Sequence, residues 1–329
     1  MTVSKTNFGE IGTEPVELYK ITNKNQTSIN VLSYAATWQN FEVVEDGEKH
    51  SLIEHFDKLD DYIKTPYQVG KTIGRIAGRI KDAKFEINDV DYQLKPNDGS
   101  NLLHGGDNGL QYQNFDAKIE SDNSVLFTHT VSGEDGFAGT LKVGVRYSLS
   151  DDDEVAITYL GKTDHDTLFN PTCHVYFDVD ADSNIRQQQL KINSKRFLDL
   201  ATDKVPTGKL LATTNAYDFK NFKKVGQGLK QLKPMDKFEY DDAFVVKDKA
   251  ATIKSAKRAV DLYTDRNGLV IFTANPQDEQ KASQYDYSSL AMEMQTLPDA
   301  INHNDFGNVV LDKGEKVSYT NKYKYRKLD

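Results

Sequence analysis

The chain has 329 residues, with 41 Lys and Arg against 50 Asp and Glu and a formal net charge of -9. That acidic balance leaves no basic field to hold a phosphate backbone, which argues against a nucleic-acid partner. No run of about 18 apolar residues is present to span a bilayer, and the opening stretch MTVSKTNFGEIG has no apolar signal core. Cys173 is the only cysteine, so an internal disulfide framework and a cysteine-rich zinc site are both ruled out. The expectation is a cytoplasmic protein with no membrane partner.

In chain order, the first periodic segment is Leu52 to Ile63, where Leu52, Phe56, Leu59 and Ile63 fall three or four residues apart and predict one short helix. Phe85 and Ile87, then Val90, Tyr92 and Leu94, alternate around Asn88-Asp89, two residues that tolerate the positive φ of a tight hairpin. Leu141, Val143, Val145, Tyr147 and Leu149 alternate up to the polar run Asp151 to Glu154, and Val155, Ile157 and Tyr159 alternate after it, predicting a second hairpin. Val260, Leu262 and Thr264, then Leu269, Ile271 and Thr273, flank Asp265 to Gly268 and predict a third. Many strands, one helix and no regular strand–helix alternation favour an all-β, antiparallel sandwich or barrel. No internal repeat or linker marks a boundary, so residues 1–329 read as a single domain.

Three motif-like stretches fail on spacing. Gly70-Lys71-Thr72 lacks the glycine that a phosphate-cradling loop needs five residues before Gly70, since that position is Thr65. His50 to His55 has one residue too many between His50 and Glu54 for a helical zinc site, and reads as a solvated helix face. Ser150 to Glu154 lacks the glycine and distant glutamate of a calcium loop, and reads as a polar turn.

Four segments remain in which charged or imidazole side chains sit among glycines, prolines and apolar residues. They are GRIAGRI (74–80), NLLHGG (101–106), NPTCHVYF (170–177) and AMEMQTLPDAINH (291–303). In this order, and with the weaker signals YDF (217–219), DDAF (241–244) and FTAN (272–275), they resemble the aldose 1-epimerase (galactose mutarotase) family over nearly the whole chain. The resemblance implies a large antiparallel β-sandwich of the galactose mutarotase type, a small-molecule sugar substrate, no metal and no organic cofactor. It also implies Glu293 as general base and His174 as general acid, with Arg79, His104 and Asp241 holding the sugar. Gly78, Cys173 and Val270 depart from the pattern of many members and bear on sugar preference.

Exchanging α and β anomers means opening the bond from C1 to the ring oxygen, rotating about C1–C2 and reclosing. Nothing is oxidised or transferred; one group must take the C1 hydroxyl proton while another gives one to the ring oxygen. From ordinary pKa values a glutamate would be ionised and a histidine could carry the proton near neutral pH. Tyr176 or Phe177 could cover an apolar sugar face. Three alternatives stand beside this reading: a hexose-phosphate epimerase, a maltose epimerase, and a sugar-binding protein without catalysis. The oligomeric expectation is a monomer or homodimer.

Overall fold

The structure, a computed structural model, describes residues 1–180, 184–275 and 287–329. A meander opens the chain: Thr2–Ile11, Glu14–Thr22, Ser28–Leu32, Trp38–Glu45 and Glu48–Ser51 each pair antiparallel with the next. A nine-stranded antiparallel sheet follows, with the long strand Lys316–Lys327 at its centre and Glu154–Thr163 and then Leu141–Leu149 to one side of it. The third sheet has six strands in the order Tyr176–Phe177, Ser289–Gln295, Gly268–Ala274, Asp241–Val245, Arg196–Leu200 and Pro206–Ala212.

The two larger sheets share one core, to which the first contributes Tyr147, Ile157, Leu262 and Tyr323 and the second Leu269, Ile271, Met292 and Met294. Trp38 joins them, with ring centroids 4.9 Å from Tyr323 and 6.4 Å from Phe177. Each such side chain contributes about 1.5–3 kcal/mol by leaving water. The fold is thus the large antiparallel sandwich expected from the sequence.

The alternation along Ser289–Gln295 places the site. Leu290, Met292 and Met294 enter the shared core, while Ala291, on the opposite face, joins a different apolar cluster. A strand's side chains alternate with period two, so Glu293 between two methionines belongs to the face turned away from that core. Both faces of this strand are covered, and all seven of its residues are buried.

Two predicted hairpins are present. Lys84–Ile87 pairs with Val90–Gln93 through Asn88 and Asp89 at φ 51° and 62°, the backbone that a two-residue turn of right-handed twist needs. Leu141–Leu149 pairs with Glu154–Thr163, and Asp153, at φ 57° in the intervening turn, accepts hydrogen bonds from Asn23 and Asn25.

The third hairpin is corrected by the structure. Arg258–Thr264 pairs with Asp248–Lys254 and Lys316–Lys327 in the nine-stranded sheet. Gly268–Ala274 pairs with Asp241–Val245 and Ser289–Gln295 in the six-stranded one. The strands are real, but residues 265–267 cross the sandwich instead of turning back; alternation reports which residues point inward and carries no information about partners.

The predicted helix is also shortened, to Leu59–Lys64. Leu52 and Glu54 donate backbone hydrogen bonds to Phe41 and Tyr176, and Ile53 bridges Phe177, so this stretch is extended and His50 lies on a strand, not on a helix face. A second helix, Val225–Leu232, buries Val225, Leu229 and Leu232 at helical spacing and was not anticipated. Among the described residues no helix is long and apolar enough to cross a membrane.

Candidate active site

All five residues singled out from the sequence line one cavity of about 340 Å³ on the outer face of the six-stranded sheet. Glu293, Val270 and Ala243 occupy matching positions on three neighbouring strands, and Asp241 enters two residues before Ala243. His174 lies between the short strands Thr172–Cys173 and Tyr176–Phe177, its backbone held by a hydrogen bond to the Lys71 carbonyl at 2.9 Å and one from the Gly70 amide at 2.9 Å.

The catalytic candidates touch: His174 Nε2 lies 3.4 Å from Glu293 Oε1, at 6% and 3% exposure. Glu293 Oε2 and His174 Nδ1 are buried without a protein hydrogen bond. Burial pushes the Glu293 carboxyl up to about 8, a nearby Asp241 adding to the rise while Arg79 opposes it. Burial also brings the His174 imidazole down to about 4, with the Lys71 ammonium adding to the fall. Near neutral pH the proton therefore rests on Glu293 with His174 neutral, the reverse of the distribution that ordinary pKa values suggest. The cause is that desolvation favours the uncharged form of each group.

His104 sits at φ 53°, and its Nδ1 accepts from the Gly78 amide at 3.2 Å while its own amide donates to the Gly78 carbonyl at 3.0 Å. An accepting Nδ1 leaves Nε2 to carry the ring hydrogen as a donor. Burial, His174 and Arg79 together hold its pKa well below the usual histidine value. Gly78 itself is at φ 78°, and a side chain there would meet Pro298. Gly105 has no room for one, because an added Cβ would come within 2.2 Å of the Gly74 carbonyl oxygen.

Arg79 donates from Nε to Asp98 at 2.6 Å and reaches 4.0 Å from Asp241, which also lies 3.4 Å from Lys204 Nζ. Tyr176 lines the cavity, stacked on His174 with centroids 5.0 Å apart, and its hydroxyl donates to the Tyr67 carbonyl. Phe177 instead faces the core beside Trp38 and Tyr323.

Two side chains escaped the sequence reading. Gln295 lies two residues after Glu293 on the same strand face, fully buried at the cavity wall, and neither of its amide atoms has a protein hydrogen bond. An amide so buried is costly unless something else satisfies it. Its period-two spacing from Glu293 was a usable signal.

Arg266, in the crossing between the sheets, is buried beneath the site. It donates to Asn170 Oδ1, to Thr296 Oγ1 at 3.1 Å and to the Pro171 carbonyl at 3.3 Å, with its guanidinium 3.9 Å from the Tyr319 ring centre. Asn170 also exchanges hydrogen bonds with the Thr296 backbone at 3.0 and 2.9 Å. Thr172 Oγ1 and Asn321 Nδ2 donate to the Met294 carbonyl at 3.0 and 2.8 Å. These bonds tie the segment carrying His174 to the strand carrying Glu293. They also explain how Asn170 and Pro171, poor core residues by type, are accommodated at buried positions. Cys173 is buried with its thiol donating to the Gly70 carbonyl at 3.4 Å, and burial holds the thiol protonated.

Among the described residues one group could offer a metal ion several ligands: atoms of His104, His174 and Glu293 lie within 4.8 Å of one another. Lys71, of the rejected phosphate motif, is buried with its ammonium 3.1 Å from Gln68 Oε1 and between the rings of Tyr34 and Tyr112. Burial lowers its pKa to about 8.

A sequence model described as aldose 1-epimerase matches residues 17–324. The chain is 41% identical to the maltose epimerase of Levilactobacillus brevis and 33% identical to the aldose 1-epimerase of Streptococcus thermophilus, with 99% of each chain covered in both pairs. Its fold superposes on the crystal structure of galactose 1-epimerase from Lactobacillus acidophilus with a TM-score of 0.88 at 24% identity, covering all of both chains. The class that emerges is an isomerase on an antiparallel sandwich of the mutarotase type. Within that class, the chain belongs to the aldose 1-epimerase family.

Proposed function

We propose that the chain interconverts the α and β anomers of free aldoses by general acid–base ring opening, with Glu293 and His174 as the proton-carrying pair. The supporting observation is their 3.4 Å contact inside a cavity that also presents Arg79, His104 and Asp241. Between the two titrations, near 4 and near 8, the pair holds one proton. Transfer of that proton across the contact yields a carboxylate and an imidazolium without exchange with solvent. The carboxylate then takes the C1 hydroxyl proton while His174 gives one to the ring oxygen; ring closure reverses both. The resting neutral pair is cheap to bury, and the charged pair forms where the reaction needs it.

Arg79 and the Nε2–H of His104 donate to ring substituents, Asp241 accepts from hydroxyls, and Tyr176 covers an apolar face. Gln295, with donor and acceptor unused by the protein, adds a further hydrogen-bonding partner for the sugar. Glucose, galactose and maltose all present the same reducing ring to this pair. The test is the relaxation of optical rotation of freshly dissolved α-glucose, α-galactose and maltose. Acceleration of at least one of them by micromolar protein is expected, and none accelerated beyond the buffer rate would overturn the reading.

A further inference from the structure

The inner cavity opens, at Asp241 and Lys204, into a second and larger groove of about 1050 Å³. The two share Pro66, Tyr67, Leu200, Lys204, Asp241 and Asp242, whereas His104, His174, Glu293 and Gln295 line only the inner one. The reacting pair thus lies at one end of a continuous space and the groove at the other. In a pyranose ring C4 stands opposite C1. A ring with C1 at Glu293 and His174 therefore turns its C4 oxygen toward the groove.

We propose that this groove binds the second hexose ring of a reducing disaccharide joined through that oxygen. The inference rests on the preceding reading of the inner cavity and adds a site of its own. The wall has the mixed character that a sugar ring needs: exposed Met235 and the partly exposed Leu200 offer apolar surface to a C–H face, while Thr202, Lys204 and Glu239 offer polar groups to its hydroxyls. Pockets for small ligands combine these features at a few hundred Å³ and above.

The wall is also shaped by defined turns. Lys204, at φ 65°, closes a turn by donating to the Ala201 carbonyl at 3.0 Å. Met235 ends a helical turn that Asp236 terminates at φ 56°. Charge favours a neutral occupant. Lys204 and Lys237 face four carboxylates, Asp236, Glu239, Asp241 and Asp242, with Lys204 3.4 Å from Asp241 and Lys237 3.8 Å from Asp242. A sugar phosphate would meet that acidic excess unfavourably.

The test uses the intact protein and two exposed groove positions, filled by Thr202→Trp and Met235→Trp. Relaxation of optical rotation is followed for glucose and for maltose, and binding of the non-mutarotating methyl β-glucoside and methyl β-maltoside is measured by calorimetry. In the wild type the maltoside should bind at least tenfold more tightly than the glucoside. Each groove-filling variant should cut kcat/KM for maltose at least tenfold and abolish the maltoside's advantage, leaving glucose within about twofold. Equal affinity for the two glycosides in the wild type, or variants that slow both sugars alike or neither, would overturn the second-ring site. A maltoside advantage lost in the variants, in a protein that accelerates neither sugar, would keep the groove assignment and sink the catalytic reading instead.

Discussion

His174 Nε2 and Glu293 Oε1 stand 3.4 Å apart with both side chains almost wholly buried, and the surroundings hold the first as a neutral imidazole and the second as a protonated carboxyl. Burial favours the uncharged form of each group at rest. In the proposed mechanism, the single proton they share is the one that ring opening moves.

Glu293→Gln keeps shape but cannot accept the C1 hydroxyl proton, so the relaxation rate should fall by about 10² to 10⁴-fold. Its stability effect has a definite sign. The folded-state pKa is raised, from 4.5 to about 8, so the folded protein holds a proton that the unfolded chain releases, and stability is lost as pH rises through that window. Glutamine removes that loss, by up to about 4 to 5 kcal/mol. The melting temperature of the variant should thus gain on the wild type from pH 5 to pH 8.5. A variant of near wild-type rate would remove Glu293 from the chemistry.

The pH dependence of kcat/KM should be bell-shaped, with limbs near 4 and 8 that belong to the pair. Below the first, both groups are protonated and no base is left; above the second, no acid is left. His174→Asn should lower the maximum and leave a residual rate that rises as Glu293 ionises. His104→Asn should keep both limbs and weaken binding. In infrared difference spectra, wild type minus Glu293→Gln should show a protonated carboxyl at pH 6 that disappears above pH 8. Its absence at pH 6 would place the resting proton on His174.

Asp241→Ala should chiefly raise the apparent KM. Asp241 lies at the mouth, a quarter exposed and between Arg79 and Lys204, where it meets ground state and transition state alike, so kcat is spared. A collapse of kcat at constant KM would assign it to the chemistry.

Arg266→Lys should destabilise by about 2 to 4 kcal/mol, because one ammonium cannot reproduce the fork that binds Asn170, Pro171 and Thr296 together. As those residues position His174 and Glu293, kcat should fall while the pH limbs stay in place. Lower melting temperature with unchanged kcat at 15 °C would limit Arg266 to stability.

Prolonged dialysis against a chelator should leave the relaxation rate unchanged, because the proposed proton transfer runs between Glu293 and His174 themselves. Loss of activity restored by one divalent ion would assign the cluster of His104, His174 and Glu293 to that ion.

Alternation along the chain made the strands around 88–89 and 150–153 legible, since side-chain period and turn residues are local properties. The order of GRIAGRI, NLLHGG, NPTCHVYF, DDAF and AMEMQTLPDAINH made Arg79, His104, His174, Asp241 and Glu293 legible as one set, and they do line one cavity. Partners were not legible: strands 258–264 and 268–274 read as a hairpin but lie in different sheets, because pairing depends on contacts made far along the chain. The helix over 52–63 was cut to its second half for a similar reason, the Leu52 and Glu54 amides donating to the Phe41 and Tyr176 carbonyls and holding that stretch in extended backbone. Tertiary structure alone decided where the proton rests. A residue type carries only its value in water, and it is burial on one face of the six-stranded sheet that raises Glu293 and lowers His174 until their order reverses.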